Sequence, residues 1–293
     1  MAKWTNKFNL PAPLASAISR DNYQKTGDIS VTGVIKPPRM RVLEERHAGE
    51  ITWDVADGIW ILLGRAVHAV LEFAGADHSD HAIEQELVVE VGGWRISGRP
   101  DVLSLQDGVL SDYKITSVWA FLHGNKPEWV RQLNVYRWLI WNVKQVEVKK
   151  LQIVAVLRDW SITRTYEPDY PEKAVAVVDV PLLEDTAEWV RTRLRLHQDA
   201  EKLKDHELPL CTPEERWEKP TTWAVQKPDA AKAYRVKATE AEAKELAAAT
   251  KGMIVVERPG ESTRCQLYCG ALPFCSQGKA LVHPEDRKEA VAG

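Results

Sequence analysis

The sequence predicts an α/β chain with a small Cys-rich αβ appendage near its C-terminal end, and three observations lead there. The stretch ISGRPDVLSLQDGVLSDYKIT, residues 96–116, sets alternating apolar residues on both sides of the turn dipeptide Asp107-Gly108, the pattern of a β-hairpin. Apolar residues recur at helical spacing over 54–74 and 126–143, on either side of that hairpin, and the continuous apolar run 151–157 resembles a strand buried on both faces. Beyond His206 the composition becomes loop-rich, and all four Cys of the chain lie there.

Composition narrows the class. At 293 residues and 44% hydrophobic content the chain has material for one large core with an appendage. A net charge of -3 and a pI near 6.3 exclude a protein coated in basic residues that grips nucleic acid over its whole surface, and leave room only for a local basic groove. No run of eighteen apolar residues occurs, and charges interrupt MAKWTNKFNL where a signal sequence needs an apolar segment, so a cytoplasmic protein without membrane attachment is expected. Most of the twelve Trp are expected in the core, a minority stacking on bases.

Residues 1–28 read as a lead-in, with Pro11 and Pro13 breaking any long helix and a short helix over 16–22. The main body spans 29–205. Ser30 or Thr32 caps a helical turn that Pro37-Pro38 stops, and Lys36, Arg39 and Arg41 lie close enough together to contact a phosphate. Residues 54–74 form a buried helix capped by Asp54 or Asp57. Gly64, His68 and Glu72 make one stripe along it, with the glycine marking close approach to the backbone and His68 a metal ligand or a core histidine. Residues 82–91 alternate as a strand that puts Glu84, Glu86 and Glu90 on one face; Glu90 suits solvent, while Glu84 or Glu86 can add a carboxylate to a metal site.

In the hairpin, a two-residue turn puts Asp101 across from Lys114 and Leu103 across from Asp112, and a slip of two residues keeps Asp101, Asp112 and Lys114 on one face. Two carboxylates and an ammonium among Val, Leu and Ile are costly to bury unless they hold a metal or one another. Converging carboxylates suit a divalent cation that activates water, and the Lys a cation that steadies a phosphate. On the next helix Pro127 occupies the first turn, Gln132 and Tyr136 point the same way, and Arg131 stands beside them. A strand over 174–180 and a helix over 183–203 complete the body.

The appendage, 206–282, carries an Ala/Glu/Lys helix over 240–250 and a strand over 253–258, and a disordered tail follows from 283. Cys211, Cys265, Cys269 and Cys275 form the usual composition of a structural zinc or iron-sulfur site in a reducing compartment.

Four motifs in order resemble a known family. The helix with Gly64-x-x-x-His68, the strand Gly98-Arg99-Pro100-Asp101, the strand Asp112-x-Lys114 and the helix Gln132-x-x-x-Tyr136 are similar to the RecB-type branch of the PD-(D/E)xK nuclease superfamily, in particular to phage-type exonucleases and the CRISPR-associated exonucleases that carry an iron-sulfur cluster. The resemblance implies a mixed central β-sheet flanked by helices, the restriction-endonuclease-like core, and hydrolysis of DNA with Mg2+ or Mn2+. It implies that His68, Asp101, Asp112 and the Ile115 carbonyl hold the metal, that Lys114 orients water and stabilises charge, and that Gln132 and Tyr136 position the strand. A metal-dependent DNA exonuclease of viral or mobile-element recombination or repair is expected, with DNA and a helicase or single-strand annealing protein as partners. The alternatives are an endonuclease on the same site and a DNA-binding assembly module with a degenerate nuclease fold. One departure stands out. In the iron-sulfur relatives the first Cys precedes the His motif, near a segment like IKPPRM; here Pro37 and Pro38 stand there and the first Cys is Cys211, so a 4Fe-4S cluster and zinc both remain open.

Overall fold

A computed structural model describes residues 2–20, 26–75, 79–122, 124 and 126–282. The chain begins with β1 (Lys3–Thr5) and α1 (Ala12–Ser19), which the prolines start rather than break, because a ring in the first turn forfeits no helical hydrogen bond. β2 (Ile29–Ser30) leads into α2 (Val31–Ile35), where the Ser30 hydroxyl accepts from the Gly33 amide at 3.1 Å, and Pro38 opens α3 (Pro38–Arg46). β3 (Thr52–Asp54) pairs in parallel with β1. Asp54 then accepts from the Ala56 amide in the turn that precedes α4 (Ile59–Gly75).

The strand expected over 82–91 is two strands in different sheets, β4 (His81–Ile83) and β5 (Leu87–Val91), because Glu84 takes φ +48 and ends the first ladder. Glu84 therefore leaves the face that Glu90 occupies. The expected hairpin divides likewise. β6 (Trp94–Gly98) pairs with β5 and β2, while β7 (Val102–Ser104) and β8 (Val109–Thr116) pair with each other in the second sheet. Their loop has four residues, 105–108, rather than two, and the register Val102↔Ser111 sets Asp101 beside Asp112 instead of Lys114. This is the two-residue slip that leaves Asp101, Asp112 and Lys114 on one face.

α5 (Val118–Leu122) and α6 (Pro127–Lys144) follow, then β9 (Lys150–Leu157), β10 (Val175–Val180) and α7 (Thr186–Glu201). The larger sheet runs β10-β9-β8-β7-β4 with β8 and β9 parallel and the other neighbours antiparallel; the smaller runs β2-β6-β5. The fold is mixed α/β. Leu110, Ile153 and Ala155 of the larger sheet pack with Leu133, Tyr136 and Leu139 of α6 and with Leu194 of α7 in one core. β9 buries Leu151, Ile153, Ala155 and Leu157 and leaves most of the alternate residues half-covered, so its apolar run marks one fully buried face rather than two.

α4 departs most from expectation. It buries none of its residues, Trp60, Leu63, Val70 and Phe73 are exposed, and a Cβ on Gly64 would meet nothing within 4 Å. Only one flank of the helix rests on β8, β4 and α1, so the spacing of its apolar residues marks a helix without marking a cover for it.

Past α7 come β11 (Glu218–Lys219), β12 (Thr222–Gln226), β13 (Arg235–Lys237), α8 (Glu240–Ala249), β14 (Ile254–Arg258), β15 (Glu261–Ser262), α9 (Thr263–Leu267) and α10 (Ser276–Leu281). The sheet β13-β12-β14 carries α8 over a thin core that includes Ala224, Val225 and Ala243. The Cys-bearing segment packs elsewhere. Cys269, Ala271 and Cys275 join Met40, Val42 and Leu43 of α3 and Ala200 of α7 in a second core, and Phe274 stacks on His47 at 4.0 Å. The tail expected beyond 283 lies outside the described residues. No helix among the described residues is long and apolar enough to cross a membrane.

Candidate active site

A cavity of about 680 Å3 opens between α4, α6, α2 and the meeting point of the two sheets. The link Gly98-Arg99-Pro100-Asp101 carries the chain from one sheet to the other, and Asp101 arrives beside Asp112 with its Oδ2 accepting from the Tyr113 amide at 2.7 Å. The link needs its glycine: a Cβ on Gly98 would lie 2.7 Å from Val31 Cγ2 and 2.9 Å from both Leu139 Cδ1 and Tyr136 Cε1. Glu84, bent out of β4 by its left-handed backbone, receives His68 Nδ1 on Oε1 at 2.9 Å. That conformation costs a non-glycine residue on the order of 1–2 kcal/mol, which local bonding must offset. The Glu84 amide does so in part by donating to the Asp101 carbonyl at 3.0 Å.

His68 Nδ1 also lies 3.7 Å from Asp101 Oδ1, and one ligand atom each from His68, Glu84 and Asp101 lie within 4.8 Å of one another. Asp112 is 1% exposed, and neither of its carboxylate oxygens has a hydrogen-bond partner among the described residues. Lys114 Nζ approaches Oδ2 to 2.6 Å, an ion pair outside hydrogen-bond geometry. Ile115 follows on the same strand. Since the Tyr113 amide points away from β9, strand alternation turns the Ile115 carbonyl to that same open edge. On α6, Gln132 Nε2 donates to Tyr136 Oη at 3.3 Å.

Lys114 is one cation among three carboxylates in this cluster, Glu84, Asp101 and Asp112. Burial, and then the charge of Asp112, pushes the Asp101 carboxyl up to about 7. The hydrogen bond to Glu84 raises the His68 imidazole above its ordinary value against the opposing effect of burial. Burial raises the Tyr136 phenol, which keeps it a donor. A buried carboxylate with unsatisfied oxygens, a second one resisting ionisation beside it, and a His with a further carboxylate within reach form a donor set that fits a hard divalent cation.

Of the sequence-derived residues the cavity brings together His68, Glu84, Asp101, Asp112, Lys114, Gln132 and Tyr136, with Ile115 next to Lys114 on β8, and to them are added Arg65 and Arg99, which line the same cavity. Arg65 stands three residues before His68 on α4, a spacing that places it on the same stripe. Arg99 is the exposed member of the Gly98–Asp101 link. The remaining basic residues are corrected. Arg39 and Arg41 are buried, Arg41 donating to His197 Nδ1 at 2.9 Å, Glu45 at 2.7 Å and Glu201 at 3.0 Å. Lys36 pairs with Glu44 at 3.0 Å. Arg131 turns to Asp185 at 3.0 Å and over the Trp189 ring, away from the site. Internal partners thus occupy Arg39 and Arg41, which sequence proximity assigned to a phosphate, while Lys36 and Arg131 pair with carboxylates at the surface, outside this cavity.

The four Cys form no disulfide. Cys269 and Cys275 are buried, Cys211 and Cys265 half-buried, and burial pushes the Cys211 and Cys269 thiols up to about 12 and raises Cys265. His68, Glu84 and Asp101 are the only three such donors among the described residues that approach within 4.8 Å of one another, so no three of the sulfurs are that close.

No family model matches the chain, and no curated protein does. Among solved structures it is similar to the protein SSO0001, at 19% identity and TM-score 0.44 over 70% of this chain and 85% of that one. It is also similar to a phage related exonuclease from Haemophilus somnus 129PT, at 14% identity and TM-score 0.30 over 46% of this chain and 67% of that one, which makes a phage-related exonuclease a distant structural neighbour.

Proposed function

We propose that this protein is a metal-dependent deoxyribonuclease with a PD-(D/E)xK core, cutting DNA from its ends. The observation that carries the reading is Asp112: both of its oxygens are buried and without a hydrogen-bond partner among the described residues, its Oδ2 lies 2.6 Å from Lys114 Nζ, and it stands beside an Asp101 whose carboxyl is pushed up to about 7 by burial and then by Asp112. Lys114 answers one of the two oxygens, and a buried carboxylate with neither oxygen hydrogen-bonded is still costly, which a second cation would relieve. His68, Glu84, Asp101, Asp112 and the Ile115 carbonyl would hold Mg2+ or Mn2+. When bound, the ion supplies water activation and charge neutralisation at the phosphate.

The chain's own residues supply the rest. Lys114 holds its ammonium where the attacking water and a phosphate oxygen meet, and its short contact with Asp112 keeps it from swinging out. The Tyr136 hydroxyl, kept protonated by burial, and the Gln132 amide hold the strand so that the phosphate stays in line. Arg99, exposed at the cavity wall, and Arg65, whose guanidinium donates to the Ile18 and Arg20 carbonyls, place positive charge along the backbone's path.

For the four Cys we propose a structural metal centre, an iron-sulfur cluster with zinc as the alternative, which Cys211, Cys265, Cys269 and Cys275 would hold.

A linear duplex and a covalently closed circle of the same sequence, incubated with Mn2+ or with EDTA, test the reading. Cutting of the linear DNA with Mn2+ alone is expected, and Asp112→Asn or Lys114→Ala should lower its rate by about 10²–10³-fold. Wild-type rates in either variant would refute the site, and equal cutting of circles would make the enzyme an endonuclease.

A further inference from the structure

Arg39 is 1% exposed and has no carboxylate partner among the described residues. Its Nε donates to Cys275 Sγ at 3.1 Å, Nη1 to the Leu208 carbonyl at 2.6 Å and Nη2 to Ser276 Oγ at 2.8 Å. A guanidinium keeps its charge at every pH a protein meets, and a charge removed from water without an opposite charge is among the costliest arrangements in a fold. Arg41, on the same helix, makes the contrast: it is also buried, and it is answered by Glu45 and Glu201. Around Arg39 the acceptors among the described residues are one sulfur and two neutral oxygens, and the sulfur is the one of the three that metal binding would make negative. The same guanidinium reaches Cys211, where it opposes the effect of burial on the thiol. Four thiolates around a doubly charged zinc or a doubly charged iron-sulfur core leave two negative charges in excess, which is a demand for a nearby fixed cation.

We infer that Arg39 is the built-in counter-charge of the four-cysteine centre, holding Cys275 as a metal-bound thiolate and tying the centre to α3. This rests on the reading of the four Cys as a metal centre. Arg39 is a positioning residue in this role. It stands 236 residues from Cys275 in sequence, so the centre is completed only when the two ends of the chain have met.

The test compares full-length wild type with Arg39→Met and Arg39→Lys, purified anaerobically, with iron, acid-labile sulfide and zinc contents determined for each. Melting temperatures are taken before and after oxidative stripping with chelator. Arg39→Met should lower the melting temperature of the loaded protein by several degrees more than that of the stripped protein, and should speed metal loss to the chelator several-fold; Arg39→Lys, which keeps the charge but not the planar fork, should fall between. An equal drop in loaded and stripped protein would overturn the inference, because a mere bridge to Leu208 and Ser276 matters equally in both. If Arg39→Met fails to fold, the same comparison is made with Arg39→Lys, and an equal drop there overturns the inference in the same way. Wild type isolated with neither iron nor zinc would overturn both this inference and the metal reading of the four Cys, while cutting of linear DNA with Mn2+ separately decides the nuclease reading.

Discussion

Asp101 and His68 set the pH behaviour of the metal-free protein. An acid whose folded pKa is raised contributes stability fully present below its unfolded value, and that contribution is lost as pH rises through the folded value. For Asp101 the window runs from about 4, the ordinary carboxylate range, to about 7. His68 acts in the same direction, since its raised imidazole also gives stability that is lost as pH rises. Metal-free protein should therefore lose stability between pH 4 and 7 relative to Asp101→Asn, whose urea midpoint should be flatter over that window. Adding Mn2+ should restore the wild type most at the alkaline end, where the carboxylates it needs are already charged. Parallel midpoint profiles for the two proteins would refute the assignment. His68→Ala should in turn raise the Mn2+ concentration needed for half-maximal cutting while leaving the fold intact, since α4 buries none of its residues; unfolding with unchanged metal dependence would make His68 a packing residue.

At the level of elements, two glycines that look alike in the sequence have opposite surroundings. Gly98 sits where α2 and α6 close on β6, and any Cβ there falls within 3 Å of three side chains, so Gly98→Ala should cost about 1–3 kcal/mol by overpacking. Gly64 faces open space in the interior of α4, and Gly64→Ala should stabilise the helix by about 0.5–1 kcal/mol. Differential calorimetry checks both, and a stabilised Gly98→Ala would contradict the close approach. The pair also marks how far the sequence could be read. Helical periodicity placed α4, α6 and α7 to within a few residues, and period-two alternation with Asp107-Gly108 found β7 and β8, because those signals are local. What alternation cannot carry is which sheet a strand joins. In residues 82–91 the polar run Glu84-Gln85-Glu86 interrupts the pattern, and there the positive φ of Glu84, a residue type that rarely adopts one, divides the two strands and swings a carboxylate onto His68. Nor does proximity along α3 tell a surface cation from a buried one. Arg39 and Arg41 were legible as basic and illegible as internal, since their partners, Cys275, His197 and Glu201, are more than 150 residues away.

For the whole molecule the net charge is -3, and the cations that line the cavity are Arg65, Arg99 and Lys114, of which Lys114 pairs with Asp112 and Arg65 donates to the Ile18 carbonyl at 2.8 Å. Further along, where β8 and β9 end, Arg158 lies over the exposed Trp60 ring at 4.2 Å, and Lys126 over Trp129 at 4.8 Å. Binding through so few phosphate contacts has a shallow salt dependence: neutralising about three phosphates gives a slope of roughly -2 to -3 in log affinity against log salt, far from that of a protein wrapped along DNA. On the proposed nuclease reading, affinity for DNA would then come from what a cavity and a stacking ring can hold, and an end reaches a cavity more readily than the middle of a duplex does. Trp60→Ala should accordingly weaken binding of a fluorescent linear oligonucleotide in the Asp112→Asn background by about 1–3 kcal/mol, with the salt slope unchanged because no phosphate contact is lost. A closed circle of equal length should compete poorly against that oligonucleotide in the same titration. A slope much steeper than -3, or equal competition by the circle, would mean that a broad basic face outside these residues does the binding and that the protein engages DNA away from its ends.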